Sequence, residues 1–425
     1  MIDGNSTTTF SSSSSSFTSS TTSCSDRTDL IRPHPHRRSD PHWSAIRAAA
    51  ALSPDGSLHL HQLKIIKQLG SGNLARVFHC RLVGDSPSSD FALKMVDTDA
   101  LARVRDGQEK LSHVMVEGDV LSSMDHPFLP TLYARLDSPR HTSFLIEYCP
   151  GGDLHTLLRR QPGGRFPLQA ARFYAAETLL ALEYLHCSGY IYRDLKPENI
   201  LRRSDGHLML SDFDLCLKAD VVPSLHHIKP EMGMRRRKKK NQTRIASGIL
   251  SIFTCYSTDN MELEGEERLV LVTEPQTASS LECVGTHEYL APEVLTREGH
   301  GNAVDWWAFG VFLYEMICGR TPFVGRDKES TLKNIKSKPL RFSEVMTGDD
   351  DLVMTAAMDL IKKLLDKDPN KRLGTIKGAA VIKMHPFFDG IKWPLLRNYP
   401  APRVTSRSME AAGKCRGRSL MSPGG

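Results

Sequence analysis

Two short stretches hold most of the side chains able to do chemistry. Tyr192-Arg193-Asp194-Leu195-Lys196-Pro197-Glu198-Asn199 brings carboxylates, an ammonium and a carboxamide together, and Ser211-Asp212-Phe213-Asp214 adds two more carboxylates. Asp194 could orient a hydroxyl and accept its proton, while Lys196 could meet negative charge on a transferred group. Asn199 and Asp212 supply the hard oxygen ligands that magnesium takes. Together these are the parts needed to move a phosphoryl group onto a hydroxyl.

Two upstream features say less alone. Leu69-Gly70-Ser71-Gly72-Asn73-Leu74-Ala75 is a glycine turn that suits a dinucleotide site, a cover over phosphates or an ordinary hairpin. Arg76-Val77-Phe78 continues as strand where a dinucleotide site needs a helix, which leaves hairpin and phosphate cover about equal. Lys94, in the strand Phe91 to Val96, reads either as a solvent-facing lysine or as a phosphate partner held by Glu117.

The elements that must position these groups follow from periodicity. Strand patterns run from Leu63 to Phe78 and from Phe91 to Val96, and residues 108–124 place Leu111, Val114, Met115, Val120 and Leu121 mainly on one helical face. From Leu168 onward helical patterning dominates. The expected class is α+β, a small sheet-rich lobe followed by a larger helical one. Residues 1–60, rich in Ser and Thr, are expected to be a disordered arm. The small lobe and its connection then span 61–150, the helical lobe 151–390 and a basic tail 391–425. Residues 217–281 read as an insertion looped out of the second lobe, since structureless loops of this length are uncommon in compact domains.

Composition excludes several classes. With 40% hydrophobic and 24% charged residues, the 425-residue chain is neither wholly disordered nor a disulfide scaffold. No stretch approaches the roughly 20 apolar residues that span a bilayer. The first ten residues lack a secretory pattern, and the cysteines stand singly, so a reducing cytosolic or nuclear compartment is expected. The formal charge of +6 divides unevenly. Residues 229–244 carry +7 and residues 397–425 carry +5, leaving −6 on the remainder.

Taken in order, Gly70/Gly72 with Val77, Lys94, Glu117, Asp194 to Asn199, Asp212, Ala291-Pro292-Glu293, Asp305 and Arg372 make the chain resemble a eukaryotic protein kinase over about residues 61–400. Pro127-Phe128-Leu129, Gly285-Thr286-His287-Glu288-Tyr289-Leu290 and Ile391-Lys392-Trp393-Pro394 are similar to the AGC group of serine/threonine kinases. Asp214 in place of the usual glycine, with the insertion before Gly285, resembles the plant PINOID and WAG type.

The resemblance implies a bilobal protein kinase fold, a β-rich N-lobe and an α-helical C-lobe, and the cofactors ATP and Mg2+. It makes Asp194, Lys196, Lys94 and Glu117 catalytic and Asn199 and Asp212 the metal ligands. Leu69, Gly70, Ser71, Gly72 and Asn73 would cover the nucleotide, with Lys94 on its phosphates. Val77, Ala92 and Leu201 would sandwich adenine, Glu147 to Cys149 would form the hinge that reads it, and Asp153 would lie near the ribose. Asp305 would brace the catalytic loop and Glu293 would pair with Arg372. The same resemblance implies a role in phosphorylating auxin efflux carriers. An inactive adaptor at the membrane is the alternative, disfavoured because the five groups the chemistry needs, Lys94, Glu117, Asp194, Asn199 and Asp212, are all present.

Three details concern regulation and partners. Glu282 stands where related kinases carry the phosphorylated residue of the activation loop, opposite Arg193, so partial replacement of that phosphate is expected. An exposed loop carboxylate is the equal alternative. The AGC resemblance implies that Asp153, Glu198 and Glu315 receive basic side chains upstream of the substrate hydroxyl, with solvated surface acid as the plain alternative. The chain lacks the terminal Phe-x-x-Phe docking motif of related kinases, so activation through it is not expected. In the insertion, Arg235 to Lys240 precede Ile245, Ile249, Ile252, Phe253 and Tyr256 at helical spacing. That pattern suits anionic phospholipid at the inner face of the plasma membrane, with nuclear import as competitor and a partnerless linker as the plain alternative. Nucleic-acid binding is not expected from an acidic body, and the enzyme is expected to be a monomer.

Overall fold

The computed structural model describes residues 27–30, 35–72, 75–84, 89–228, 268–342 and 352–404. The strands of the first lobe are β1 (Arg27–Leu30), β2 (Leu63–Ser71), β3 (Ala75–Leu82), β4 (Asp90–Asp97), β5 (Leu132–Asp137) and β6 (His141–Glu147), with helices α1 (His42–Ala51), α2 (Thr98–Ala102) and α3 (Gly107–Ser123). They form one antiparallel sheet in the order β1-β5-β6-β4-β3-β2. The register sets Val77 opposite Lys94 and Ala92 opposite Ile146. Because side chains alternate along a strand, Ala92 and Lys94 face the same side of the sheet.

The second lobe contains α4 (Leu154–Arg159), α5 (Leu168–Cys187), β7 (Tyr190–Ile191), β8 (Ile200–Arg202), β9 (Leu208–Leu210) and β10 (Leu217–Lys218). It continues with β11 (Ser224–Ile228), β12 (Arg268–Val272), α6 (Pro292–Thr296), α7 (Ala303–Cys318), α8 (Lys328–Ser337), α9 (Leu352–Leu364) and α10 (Gly378–Lys383). Helix α7 is its centre. Trp306, Trp307, Phe309 and Phe312 are fully buried there, because α7 is apolar on every face and is wrapped by α5 and α9.

Three boundaries differ from the sequence expectation. Part of the supposed disordered arm is ordered: Trp43, Ile46 and Ala50 repeat at helical spacing and are buried by α1 against Leu58, Cys80, Phe91 and Tyr133. The Ser-rich residues 1–26 lie outside the described residues, and their composition hid a short amphipathic repeat downstream. The ends of the insertion are also ordered, since β11 pairs with β12 and sets Leu225 opposite Leu271. Residues 229–267, including Arg235 to Lys240, lie outside the described residues. The beginning of the basic tail is fastened to the C-lobe, with Leu396 buried and Arg397 bonded to Asp205 at 2.5 Å.

Candidate active site

A cleft of about 730 Å³ lies between the lobes, lined by Leu69, Gly70, Gly72, Val77, Ala92, Lys94, Glu117, Glu147, Cys149, Asp153, Asn199, Leu201 and Asp212. Ser71 ends β2 at its mouth. Asn73 lies outside the described residues. Among the described residues, a Cβ added at Gly70 would meet no atom within 4 Å.

Lys94, on β4, donates to Glu117 Oε1 of α3 at 2.6 Å and to Asp212 Oδ1 at 2.7 Å. Burial alone would lower the pKa of Lys94, but the facing carboxylates of Glu117 and Asp212 outweigh it and raise it, so the ammonium persists. Burial would likewise raise the Asp212 carboxyl, yet Lys94 holds it below the ordinary range. Asp214 behaves oppositely: burial, then repulsion from Asp212, raises it.

The loop after β7 carries the second group. Lys196 Nζ bonds Asp194 Oδ2 at 2.6 Å and Thr286 Oγ1 at 2.9 Å. Thr286 gives its N–H and hydroxyl to Asp194 Oδ1 at 3.1 and 3.0 Å. Asn199 Nδ2 donates to Asp194 O and Oδ2, both at 2.9 Å. With its nitrogen committed, the Asn199 side chain is oriented to offer its oxygen elsewhere. Gly285, next to Thr286, has φ +104°, and a Cβ there would sit 2.8 Å from Arg193 O, so only glycine allows this approach.

Of the three described non-glycine residues in the left-handed region, two belong to the site, Arg193 at φ 67° and Asp212 at φ 63°, and the third, Arg297, ends α6. Such conformations cost on the order of 1–3 kcal/mol each and persist only when their surroundings hold them. Asp305 of α7 holds the first, accepting from Tyr192 N at 2.7 Å and Arg193 N at 2.8 Å. Lys94 holds the second through the Asp212 carboxylate. The Arg193 guanidinium reaches Leu215 O, Ser280 Oγ and Glu282 Oε2 at 2.6, 3.2 and 2.7 Å. The Arg193 hydrogen bond lowers the Glu282 carboxyl. Arg372 grips Glu293 with two nitrogens at 2.6 and 2.9 Å.

The hinge residues have further duties. Glu147 is clamped by Arg203 at 2.6 Å and by Arg37, upstream of α1, at 2.7 Å. Burial pushes the Cys149 thiol up to about 12, so it stays neutral. Asp153 lines the cleft and caps α4 by accepting from Thr156 N at 2.6 Å and Thr156 Oγ1 at 2.8 Å.

The three carboxylates expected to greet a basic substrate are not equally open. Glu315 is 4% exposed and accepts from Tyr289 Oη at 2.5 Å, with Arg159 at 3.7 Å. Glu198 is exposed. Sequence reasoning missed the clamp on Glu147 and a buried pairing of His186 with Glu274 and Asp305 at 2.7 and 2.8 Å. The one local signal was a histidine in the last turn of an apolar helix, close to the reactive loop.

Comparison with known proteins agrees with this arrangement. The family described as "Protein kinase domain" matches residues 63–229 and 271–388. Serine/threonine-protein kinase WAG1 of Arabidopsis thaliana is 54% identical over 370 residues, covering 87% of this chain and 74% of its own. Serine/threonine-protein kinase WAG2 of the same plant is 55% identical over 367 residues, covering 86% and 73%. Protein kinase PINOID of Oryza sativa subsp. japonica is 44% identical over 409 residues, covering 94% and 80%. The chain belongs to the protein kinase family and, within it, to the plant AGC serine/threonine kinases of the PINOID and WAG type.

Proposed function

We propose that this serine/threonine kinase uses Mg2+ and ATP in the interlobe cleft and phosphorylates hydroxyls preceded by basic residues, at the inner face of the plasma membrane. The observation that carries the reading is the assembled cluster in which Lys94 meets both Glu117 and Asp212. The groups present fit the cofactors. Asn199 and Asp212 offer oxygen ligands of the kind magnesium takes, and Val77, Ala92 and Leu201 supply apolar walls for a base. When bound, the metal would neutralise phosphate charge.

The chain's own groups do the rest. Lys94 would fix the phosphates, and Asp194 would orient the substrate hydroxyl and take its proton. Lys196, 2.6 Å from Asp194, would meet charge on the transferred group. Thr286 holds the Asp194 carboxylate in place from the activation segment. No feature of the site favours an inactive adaptor, since all five groups are in place. Replacing Asp194 with Asn should abolish transfer to a basic peptide in Mg·ATP, and transfer that survives would overturn the assignment.

For substrate choice, the support is the closeness of Glu198, Glu288 and Glu315 around Tyr289, which helps raise that hydroxyl's pKa after burial. Of the three expected carboxylates Glu198 is exposed, Asp153 half-buried and Glu315 buried, so Glu198 is the main contact for an upstream Arg. A peptide array insensitive to upstream Arg would remove this reading.

For location, the support is the basic run Arg235 to Lys240 together with the hairpin that precedes and follows it. Leu225, Leu269 and Leu271 are exposed on one face of that hairpin. Each Lys or Arg near anionic lipid contributes about 1 kcal/mol, and an apolar contact would add to it. Cosedimentation with phosphatidylserine vesicles should fall when Arg235 to Lys240 are neutralised. Unchanged vesicle binding, with loss of nuclear signal instead, would favour import. A monomer and a role in auxin signalling complete the reading, the latter carried by family membership.

A further inference from the structure

The segment after β12 does more than return the chain to the lobe. Val272 is buried, and Glu274 follows with 4% of its surface exposed. Glu274 Oε2 receives His186 Nδ1 at 2.7 Å and Asn302 Nδ2 at 2.8 Å. Gly378 leaves it room, since a Cβ there would lie 2.3 Å from Glu274 Oε1. On its other side, His186 Nε2 meets Asp305 Oδ2 at 2.8 Å. Asp305 in turn receives the N–H groups of Tyr192 and Arg193, the residues that lead into Asp194.

A ring held between two carboxylates has both nitrogens committed as donors, which is the imidazolium form. The Trp306 ring packs edge-on at 4.8 Å. Burial alone would lower the pKa of His186, but Glu274 and Asp305 outweigh it and lift it to about 10. A neutral imidazole would donate to only one of its two acceptors, leaving a lone pair facing a buried carboxylate.

We propose that Glu274 is a positioning residue for phosphoryl transfer: through His186 and Asp305 it fixes the backbone of Tyr192 and Arg193, and so couples the root of the inserted segment to the catalytic loop. Two elements that the chain separates by 88 positions thereby share one buried line of charge. It follows that the insertion is not a passive tether. Its C-terminal end is part of what holds Arg193 in the left-handed conformation at φ 67°.

The inference rests on the kinase activity, and the test keeps the two apart by expressing each rate as a ratio to wild type. The full-length Glu274→Gln and Glu274→Asp variants are assayed with Mg·ATP and a basic peptide from pH 6 to 9, with melting temperatures at each pH. Gln removes the charge while keeping the shape, so His186 titrates within that range. The expected kcat ratio for Glu274→Gln falls about tenfold from pH 6 to 9, the equivalent of roughly one pKa unit of lost interaction. KM for ATP should stay within about twofold, because the cleft contacts are untouched. Glu274→Asp, which restores the charge, should hold a flatter ratio. A ratio for Glu274→Gln independent of pH overturns the proposal, whatever its value, and so does a fall fully accounted for by unfolding at the assay temperature. Inactive wild type would instead speak against the assigned chemistry.

Discussion

Lys94 and His186 are both cations between two carboxylates, one in the cleft and one inside the C-lobe. Lys94 lies between Glu117 and Asp212, with 14% of its side chain exposed and 41% of Asp212. His186 lies between Glu274 and Asp305, with side-chain exposures of 0% for the imidazole and 0% for Asp305. The difference in access separates their uses. An exposed Asp212 can turn to another partner, whereas Asp305 already spends its oxygens on two backbone N–H groups and the imidazole. The cations also differ: a lysine between carboxylates stays charged across the ordinary pH range, but a histidine remains a titrating group. One triad is open enough to change partners, whereas the other is closed around two backbone N–H groups.

The largest expected effect tests the open triad. Lys94→Met should lower kcat by about 10²–10³, the scale for removing a preorganised electrostatic contact. Its melting temperature should change little, because Glu117 can take up a proton once the cation is gone. A variant with near-normal kcat would dissolve the distinction between the two triads.

The buried triad should also show in stability. The folded pKa of His186, about 10, lies above its ordinary value of 6.5. Its stabilisation is therefore complete below pH 6.5 and is lost as pH rises towards 10. Melting temperatures should fall across that window, by about 2–4 °C for each kcal/mol lost in a chain of this size. Glu274→Gln should flatten the decline, because less is left to lose. An equal decline in both proteins would place the titrating group elsewhere.

The smallest effect concerns a third, half-open pair. Arg193 and Glu282 meet at 2.7 Å with side-chain exposures of 4% and 43%. Exposed ion pairs contribute roughly 0.2–1 kcal/mol, so Glu282→Ala should lower activity by only about two- to fivefold in phosphatase-treated enzyme. Full activity in that variant would make Glu282 an ordinary surface carboxylate. Rising salt should weaken this pair and spare the His186 triad, which solvent does not reach.

Much of the cleft was legible in the sequence because its groups lie on short motifs. Asp194, Lys196 and Asn199 occupy one loop, and their identities alone suggest phosphoryl transfer. Lys94 and Glu117 were less secure, since only folding brings β4 against α3. Helix α1 escaped notice because three apolar residues, Trp43, Ile46 and Ala50, carry its pattern beside a Ser-rich arm. Glu315 is a substrate carboxylate only by resemblance to AGC kinases, and its burial against the Tyr289 hydroxyl could not be read from the sequence. The His186 triad joins three segments, and nothing in the spacing of Glu274 predicts its partner.

The sequence by itself determined the reaction class and the family and named the candidate catalytic groups, because those depend on residue type and short-range order. Tertiary structure decided which carboxylates are free, which are spent and which histidine carries a charge. Those properties depend on distance and on exclusion of water, and a linear order of residues contains neither.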